Sequence, residues 1–243
     1  MNNDLNGNGK EYDYFGKLKF EGQYINGKRH GKGKEYYDRK LIYEGEYLNG
    51  KRHGKGKEYY YYNGQLKFEG EYLNDKKWNG KGYDSFGNII YELKDGKGLI
   101  KEYSDYNNTL EFEGEVLNGQ RNGKGKEYGS YNSKLKFEGE YLNGKRNGKG
   151  KEYDNDILIF EGEYLYNHKL KGKYYSNGKL EYEGEYLFNK KWNGKGYDEN
   201  GNIIYELING VPLPITPPTP LPYQPSNLTP TNPQPPTAFN DSK

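Results

Sequence analysis

Along most of the chain, apolar and polar residues alternate one by one in short runs, and each run stops at a small polar turn. In Tyr43-Glu-Gly-Glu-Tyr-Leu48 the residues Tyr43, Gly45 and Tyr47 fall on one side and Glu44 and Glu46 on the other, and Asn49-Gly50 follows. Period-two alternation places successive side chains on opposite faces of a strand, and Asn-Gly between two such runs is the strongest short-range hairpin signal. The run Lys51-Arg-His-Gly-Lys-Gly-Lys-Glu58 then supplies the second strand. With Leu48 opposite His53 across the loop from Asn49 to Arg52, Tyr47 faces Gly54, Gly45 faces Gly56, Glu46 meets Lys55 and Glu44 meets Lys57. Rings can lie over bare glycine backbone and opposite charges pair across strands, so the register is chemically coherent.

The unit recurs. An aromatic-Glu-Gly-Glu-Tyr string, with Gln23 and Val116 as local variants, is centred on Gly22, Gly45, Gly70, Gly114, Gly139, Gly162 and Gly184. Tyr91-Glu-Leu93 and Tyr205-Glu-Leu207 keep the phase but lose the glycine. Successive centres are 21 to 25 residues apart, which is the signature of a repeat array of about nine units, two of them degenerate. The strings Trp78–Asp84 and Asn88–Leu93 return 114 residues later at Trp192–Asp198 and Asn202–Leu207, so a block of roughly five units is duplicated. A lone hairpin is marginally stable, so neighbouring units must share their aromatic layer. The expected fold is all-β: a single elongated, twisted antiparallel sheet of tandem hairpins over residues 1–210. Its structural positions are the seven central glycines, Gly54 and Gly56 on the returning strand, and Tyr24, Tyr47, Tyr72, Tyr141, Tyr164 and Tyr186.

From Val211 the composition changes, and all 11 prolines lie in residues 211–243. Proline cannot donate to a ladder and favours the polyproline II conformation, so this segment is expected to be a disordered tail. Pro217-Pro-Thr-Pro220 matches the PxxP pattern but lacks a flanking Arg or Lys, which suits a spacer better than a ligand for a proline-binding module.

Composition narrows the function. Only 31% of residues are hydrophobic and the mean hydropathy is −1.27, so one large oily core is not expected. Disordered chains share that poverty but combine it with high net charge and few aromatics, whereas here 37 basic residues face 35 acidic ones and there are 29 tyrosines. The same balance argues against a nucleic-acid partner. Cysteine is absent, which removes disulfides and thiolate metal sites. With neither a signal-peptide pattern nor an apolar run of about 18 residues, the expected location is the cytoplasm, including its membrane surfaces.

Candidate chemistry dissolves into the repeat. His30 and His53 occupy a position filled by Asn122 and Asn147 in sister units, so they are turn residues and not metal ligands. Gly50-Lys-Arg-His-Gly-Lys-Gly56 has the wrong glycine spacing for a phosphate loop and no Ser or Thr after the lysine. The Glu-x-Glu pairs have cross-strand lysines and read as solvated ion pairs. No catalytic residue, metal ligand or cofactor is expected, and the chain is read as not an enzyme.

The turns carry more information. Lys28, Arg29, Lys51, Arg52, Lys76, Lys77, Arg121, Lys145, Arg146, Lys190 and Lys191 fall at corresponding places beside the hairpin tips. Consecutive tips stack at about 10 Å, near the Debye length at physiological salt. The bland reading is that they keep the tips solvated; the functional one is a basic ridge for anionic headgroups or an acidic partner. Trp78 and Trp192 follow two such residues in loops that read as one residue longer than their sisters. They suit either an interfacial anchor or a cover for the degenerate unit that follows.

The string Tyr-Glu-Gly-Glu-Tyr-x-Asn-Gly-Lys-Arg-His-Gly-Lys-Gly resembles the MORN (membrane occupation and recognition nexus) repeat, and the resemblance covers residues 6 to 209. The family usually has Trp where this chain has Tyr24, Tyr47 and their equivalents. The resemblance implies a scaffold at membrane junctions or the cytoskeleton, acting through phospholipid binding, protein binding or self-association. The function expected first is a non-catalytic scaffold for protein–protein interaction. The alternative is peripheral binding to anionic phospholipid headgroups through the basic turns.

Overall fold

The computed structural model describes residues 6–214, and every regular element among them is a β-strand. The first sheet holds β1 (Gly7–Tyr12), β2 (Leu18–Ile25), β3 (Lys28–Tyr37), β4 (Lys40–Leu48), β5 (Lys51–Tyr59), β6 (Leu66–Leu73), β7 (Lys76–Tyr83) and β8 (Ile89–Leu93). The second holds β9 (Gly98–Tyr103), β10 (Leu110–Leu117), β11 (Gln120–Tyr128), β12 (Leu135–Leu142), β13 (Lys145–Asp154) and β14 (Ile157–Leu165). It continues with β15 (His168–Ser176), β16 (Lys179–Leu187), β17 (Lys190–Tyr197), β18 (Ile203–Ile208) and β19 (Val211–Pro214). Strand order follows chain order in both sheets, so every pairing is that of an antiparallel meander. The ladder thus runs four residues into the proline-rich composition, and the rest of the expected tail lies outside the described residues. No helix among the described residues is long and apolar enough to cross a membrane.

The core is one aromatic layer on one face. Phe20, Tyr43, Phe68, Phe112, Phe137, Phe160 and Tyr182 are fully buried, and the second aromatic of each string packs between them. Rings meet edge to face at 5.2 to 5.6 Å, as in Phe20–Tyr47, Tyr43–Tyr47 and Tyr43–Tyr72, an arrangement that aromatic quadrupoles favour. Glycines make room for it. Gly22–Gly33–Gly45–Gly56–Gly70–Gly80 form a continuous column of cross-strand partners, and Gly114 to Gly194 form its counterpart in the second sheet. A Cβ on Gly45 would come within 2.7 Å of both the Gly56 Cα and the Lys55 carbonyl oxygen.

Three expectations need correction. The array is two sheets and not one: β8 and β9 share a single bridge, Lys94–Lys97, around the turn Asp95-Gly96. The cause lies in the glycine column, whose places at the junction are taken by Leu93 and Ile100, both buried in the aromatic layer. Their side chains occupy the space that strand contact requires elsewhere. The aromatic layer nevertheless continues across, with Tyr91, Leu93 and Ile100 as the link.

The hairpin register also differs. Gly45 faces Gly56 and Glu44 faces Lys57 as expected, but Leu48 pairs with Lys51 and Tyr47 with Arg52 around the two-residue turn Asn49-Gly50. Glu46 therefore opposes His53, Gly54 and Lys55, a bulge with two extra residues. Tyrosine still meets glycine, but in the neighbouring unit: Tyr47 pairs with Gly31 and Tyr72 with Gly54. The ring lying over the column is the first aromatic of the string, so Tyr43, and not Tyr47, covers Gly45 and Gly56.

Finally, the tryptophan hairpins are one residue shorter, not longer. Tyr72 pairs with Lys77 and Glu71 with Asn79, which leaves Trp78 alone as the bulge. Trp192 occupies the same place.

Candidate functional site

Both faces of the sheet are built from the same hairpin, and they treat charge in opposite ways. On the aromatic face, the second basic residue of each turn folds inward. Arg29, Arg52, Arg121 and Arg146 lie 3.9 to 4.1 Å from the ring centroids of Phe20, Tyr43, Phe112 and Phe137. Lys77 covers Phe68 at 4.9 Å and Lys191 covers Tyr182 at 5.1 Å. Each cation also meets carboxylates: Arg29 pairs with Glu11 (2.7 Å), Arg52 with Glu35 (2.7 Å), Arg121 with Glu102 (2.6 Å) and Lys191 with Glu181 (2.6 Å). Arg146 bridges Glu127 and Glu152. The aromatic layer is thus roofed by a zipper of cations and carboxylates, into which Tyr24 and Tyr47 donate hydroxyl hydrogen bonds to Glu11 and Glu35.

The electrostatics fit a structural roof. The Arg29 hydrogen bond holds Glu11 down to about 2, against a smaller opposing effect of burial. Burial pushes Glu58 up, but Lys77 at 2.9 Å and Lys67 at 3.8 Å outweigh it, and its pKa also falls to about 2. Burial and the bond to Glu11 push the Tyr24 phenol up to about 12. These groups stay in one protonation state across the ordinary pH range.

The expected basic ridge is therefore divided. Arg29, Arg52, Lys77, Arg121, Arg146 and Lys191 belong to the roof. Lys28, Lys51, Lys145 and Lys190 remain exposed beside the tips, while Lys76 reaches Gln120 at 2.9 Å. The tryptophans are half-buried and turn toward the next unit's turn. A Cβ on Gly96 would lie 2.7 Å from the Trp78 ring, and one on Gly210 would lie 3.2 Å from Trp192. Each ring thus packs against the turn that follows its degenerate unit.

The opposite face carries two troughs, of about 960 Å³ over the first sheet and about 1140 Å³ over the second. The glycine column forms each floor, and the residues on either side of the glycines form the walls. One wall is closed by ion pairs such as Lys34–Glu44, Lys57–Glu69, Lys101–Glu113 and Lys173–Glu183. Its carboxylates also accept tyrosine hydroxyls, from Tyr36 to Glu21 and from Tyr59 to Glu44, each at 2.7 Å.

The other wall differs because of the bulge. Glu46, Glu115 and Glu140 turn back to accept hydrogen bonds from the backbone N–H of Lys55, Lys124 and Lys149, and Gln23 does the same for Lys32. This needs glycine at Gly31, Gly54, Gly123 and Gly148, where φ is positive and a Cβ would sit on the turned-back side chain. The ammonium groups of Lys32, Lys55, Lys124 and Lys149 consequently have no carboxylate within ion-pair distance among the described residues. One row further out, the turn lysines alternate with partly exposed Ile25, Leu48 and Leu142. The sequence hid this asymmetry, since the Glu-Gly-Glu and Lys-Gly-Lys strings make both walls look alike.

No cluster of three or more metal-ligating side chains occurs among the described residues. The MORN repeat family model matches residues 20–39, 43–64, 112–132 and 137–156. These four segments are the hairpins with the two-residue bulge, whereas the hairpins led by Tyr72, Tyr164 and Tyr186 have one extra residue and are not matched. No curated protein matches the chain. MORN repeats are protein- and membrane-interaction modules of non-enzymatic scaffolds.

Proposed function

We propose that this chain, a MORN repeat protein, is a non-catalytic scaffold that docks other proteins along its glycine-floored troughs. The observation that carries this reading is the division of charge between the faces. The aromatic face spends its cations on its own roof, and the trough face keeps lysines without partners around a concave floor. Backbone exposed in a groove and flanked by polar side chains suits an elongated protein segment.

The lipid reading retains the exposed turn lysines and the leucines between them as support. A planar bilayer could touch that outer row but could not follow the trough. A photo-crosslinking residue placed at Glu46 or Glu140, compared with one at the opposite edge at Tyr14, tests the choice. Protein adducts formed from the trough positions alone, with no flotation on phosphatidylserine vesicles at low salt, are expected. Flotation that disappears when Lys28, Lys51, Lys145 and Lys190 become Gln would replace docking with membrane attachment.

A further inference from the structure

Resting on the docking reading, we infer that each trough takes one extended, left-handed polypeptide segment with a carboxylate at every third residue, so that the chain binds two such segments. The argument begins with width. The two walls are the residues before and after each glycine, so their backbones stand about 7 Å apart. An α-helix, about 10–12 Å across with its side chains, is too thick to lie on the floor. A single extended chain is not.

Spacing then selects the conformation. Lys32 and Lys55 lie on β3 and β5, and Lys124 and Lys149 on β11 and β13, so within each trough the two ammonium groups without partners stand two strands apart. With strands about 4.8 Å apart, that interval is about 9.6 Å. A polyproline II segment repeats every three residues, or about 9.3 Å, and presents every third side chain to the same side. A β-strand would send the third residue to the opposite face. Two carboxylates three residues apart therefore meet the two lysines of a trough, and the residues between them face the glycine floor and the leucine row.

The junction sets the number of sites. In the first sheet the glycine column stops at Gly80, whose partner is Leu93, and in the second it stops at Gly194, whose partner is Leu207. The first trough is lined from Asn8 as far as Glu71, and the second from Ile90, Leu99 and Ile100 as far as Glu185. The duplicated block has thus produced two closed runs of floor and not one long one. The chain's own tail is a poor occupant, since residues 215–243 contain Asp241 as their only acidic side chain.

The test uses the full chain and a labelled peptide of six Glu-Leu-Pro triplets, followed by anisotropy and titration calorimetry. Two peptides should bind per chain, with affinity falling as salt rises. Lys32→Glu with Lys55→Glu should reduce the count to one, as should Lys124→Glu with Lys149→Glu, and all four together should abolish binding. Circular dichroism should be unchanged, since none of the four pairs internally.

A peptide of the same composition with its glutamates clustered should bind at least about tenfold more weakly. Equal binding of that control would reduce the effect to net charge and overturn the proposal. So would binding that appears only after residues 215–243 are removed, which would make the tail the occupant. Displacement of the peptide by phosphatidylserine vesicles, with the same sensitivity to the four substitutions, would make the surface a membrane face and overturn it too. No binding at about 1 mM would also sink the proposal. Crosslinking of proteins from the trough could still succeed in that case, so the docking reading stands or falls separately.

Discussion

The hairpin β4–β5 and the junction β8–β9 answer the same packing problem in different ways. In the first, Gly45 faces Gly56, the Tyr43 ring lies over the pair, and the ladder passes on to β6 without interruption. In the second, Leu93 and Ile100 put their own side chains into the layer, and pairing shrinks to one bridge. The comparison separates two jobs that the glycine column does together. It admits the aromatic rings, and it lets neighbouring backbones approach. Where aliphatic side chains fill the layer instead, burial survives and the ladder does not. The glycine column is interrupted at the same point, so a packing choice on one face breaks the glycine floor on the other.

The sharpest way to break the comparison is to give a regular hairpin the junction's chemistry. Gly139→Val would place a Cβ 2.7 Å from the Gly150 Cα and 2.6 Å from the Lys149 carbonyl oxygen, with the Phe137 ring as close. Backbone blocks two of those directions, so the cost should reach the upper end of overpacking penalties, about 3 kcal/mol. Nearest-neighbour coupling confines the damage. Hydrogen exchange should accelerate in β11 to β14 and stay unchanged in β2 to β5; uniform acceleration would mean that the junction does not insulate the two sheets.

The next effect is carried by the roof near the junction. Glu58 is held at about 2 by Lys77 and Lys67, below its ordinary value near 4.5. A depressed carboxylate contributes stability that is fully present above the unfolded-state pKa and is lost as pH falls through the folded one. The window is therefore about pH 4.5 down to 2, and the loss is on the order of 3 kcal/mol. Glu11 acts in the same direction and in the same window. Glu58→Gln should remove its own share of the pH dependence of melting in the first sheet between those values and leave that of Glu11, while costing stability at pH 7. A melting curve as acid-sensitive as that of the unsubstituted protein would show that the ion pairs with Lys67 and Lys77 contribute little.

Much of this architecture was legible in the chain. Period-two alternation, the Asn-Gly turns and the 23-residue step lead to hairpins in sequence order, and the central glycines to a column beneath rings. The break was visible only as two missing glycines, because Leu93 keeps the phase of the repeat and its side chain says nothing about strand separation. The bulge was not legible, since Lys51 to Gly56 can be paired with Tyr43 to Leu48 in more than one register. That shift moved Arg52 from a solvent tip to the roof, and it gave Glu46 the Lys55 backbone N–H as partner in place of the Lys55 ammonium. Charge counts cannot reveal which member of an alternating pair is already occupied.

Trp78 should matter more to the junction than to the sheet that carries it. Its ring packs on Gly96, and its carbonyl accepts the Gly96 N–H at 2.8 Å. Trp78→Ala removes half-buried area, so a loss of about 2 kcal/mol is expected. Exchange at residues 94–97 should rise by more than exchange in β6. The reverse order would return the tryptophan to the surface role first considered for it.

The smallest expected effect comes from the staple on the opposite edge. Lys67 reaches Asp105 at 2.7 Å, and the Tyr62 N–H donates to the Asp105 carbonyl at 3.1 Å, so the β5–β6 and β9–β10 turns touch across the junction. The Asp105 side chain is 44% exposed, and pairs of that kind contribute at most about 1 kcal/mol. Asp105→Asn keeps the backbone bond and removes the charge. Melting should therefore shift little, but Lys67 would be left to Glu58 alone, and the angle between the sheets should loosen. Paired spin labels at Glu21 and Glu183 should report a broader distance distribution in Asp105→Asn, while labels at Glu21 and Glu69, within one sheet, should not. Broadening of both pairs would place the flexibility in the hairpins themselves, and broadening of neither would make the link through Leu93 and Ile100 rigid without the staple.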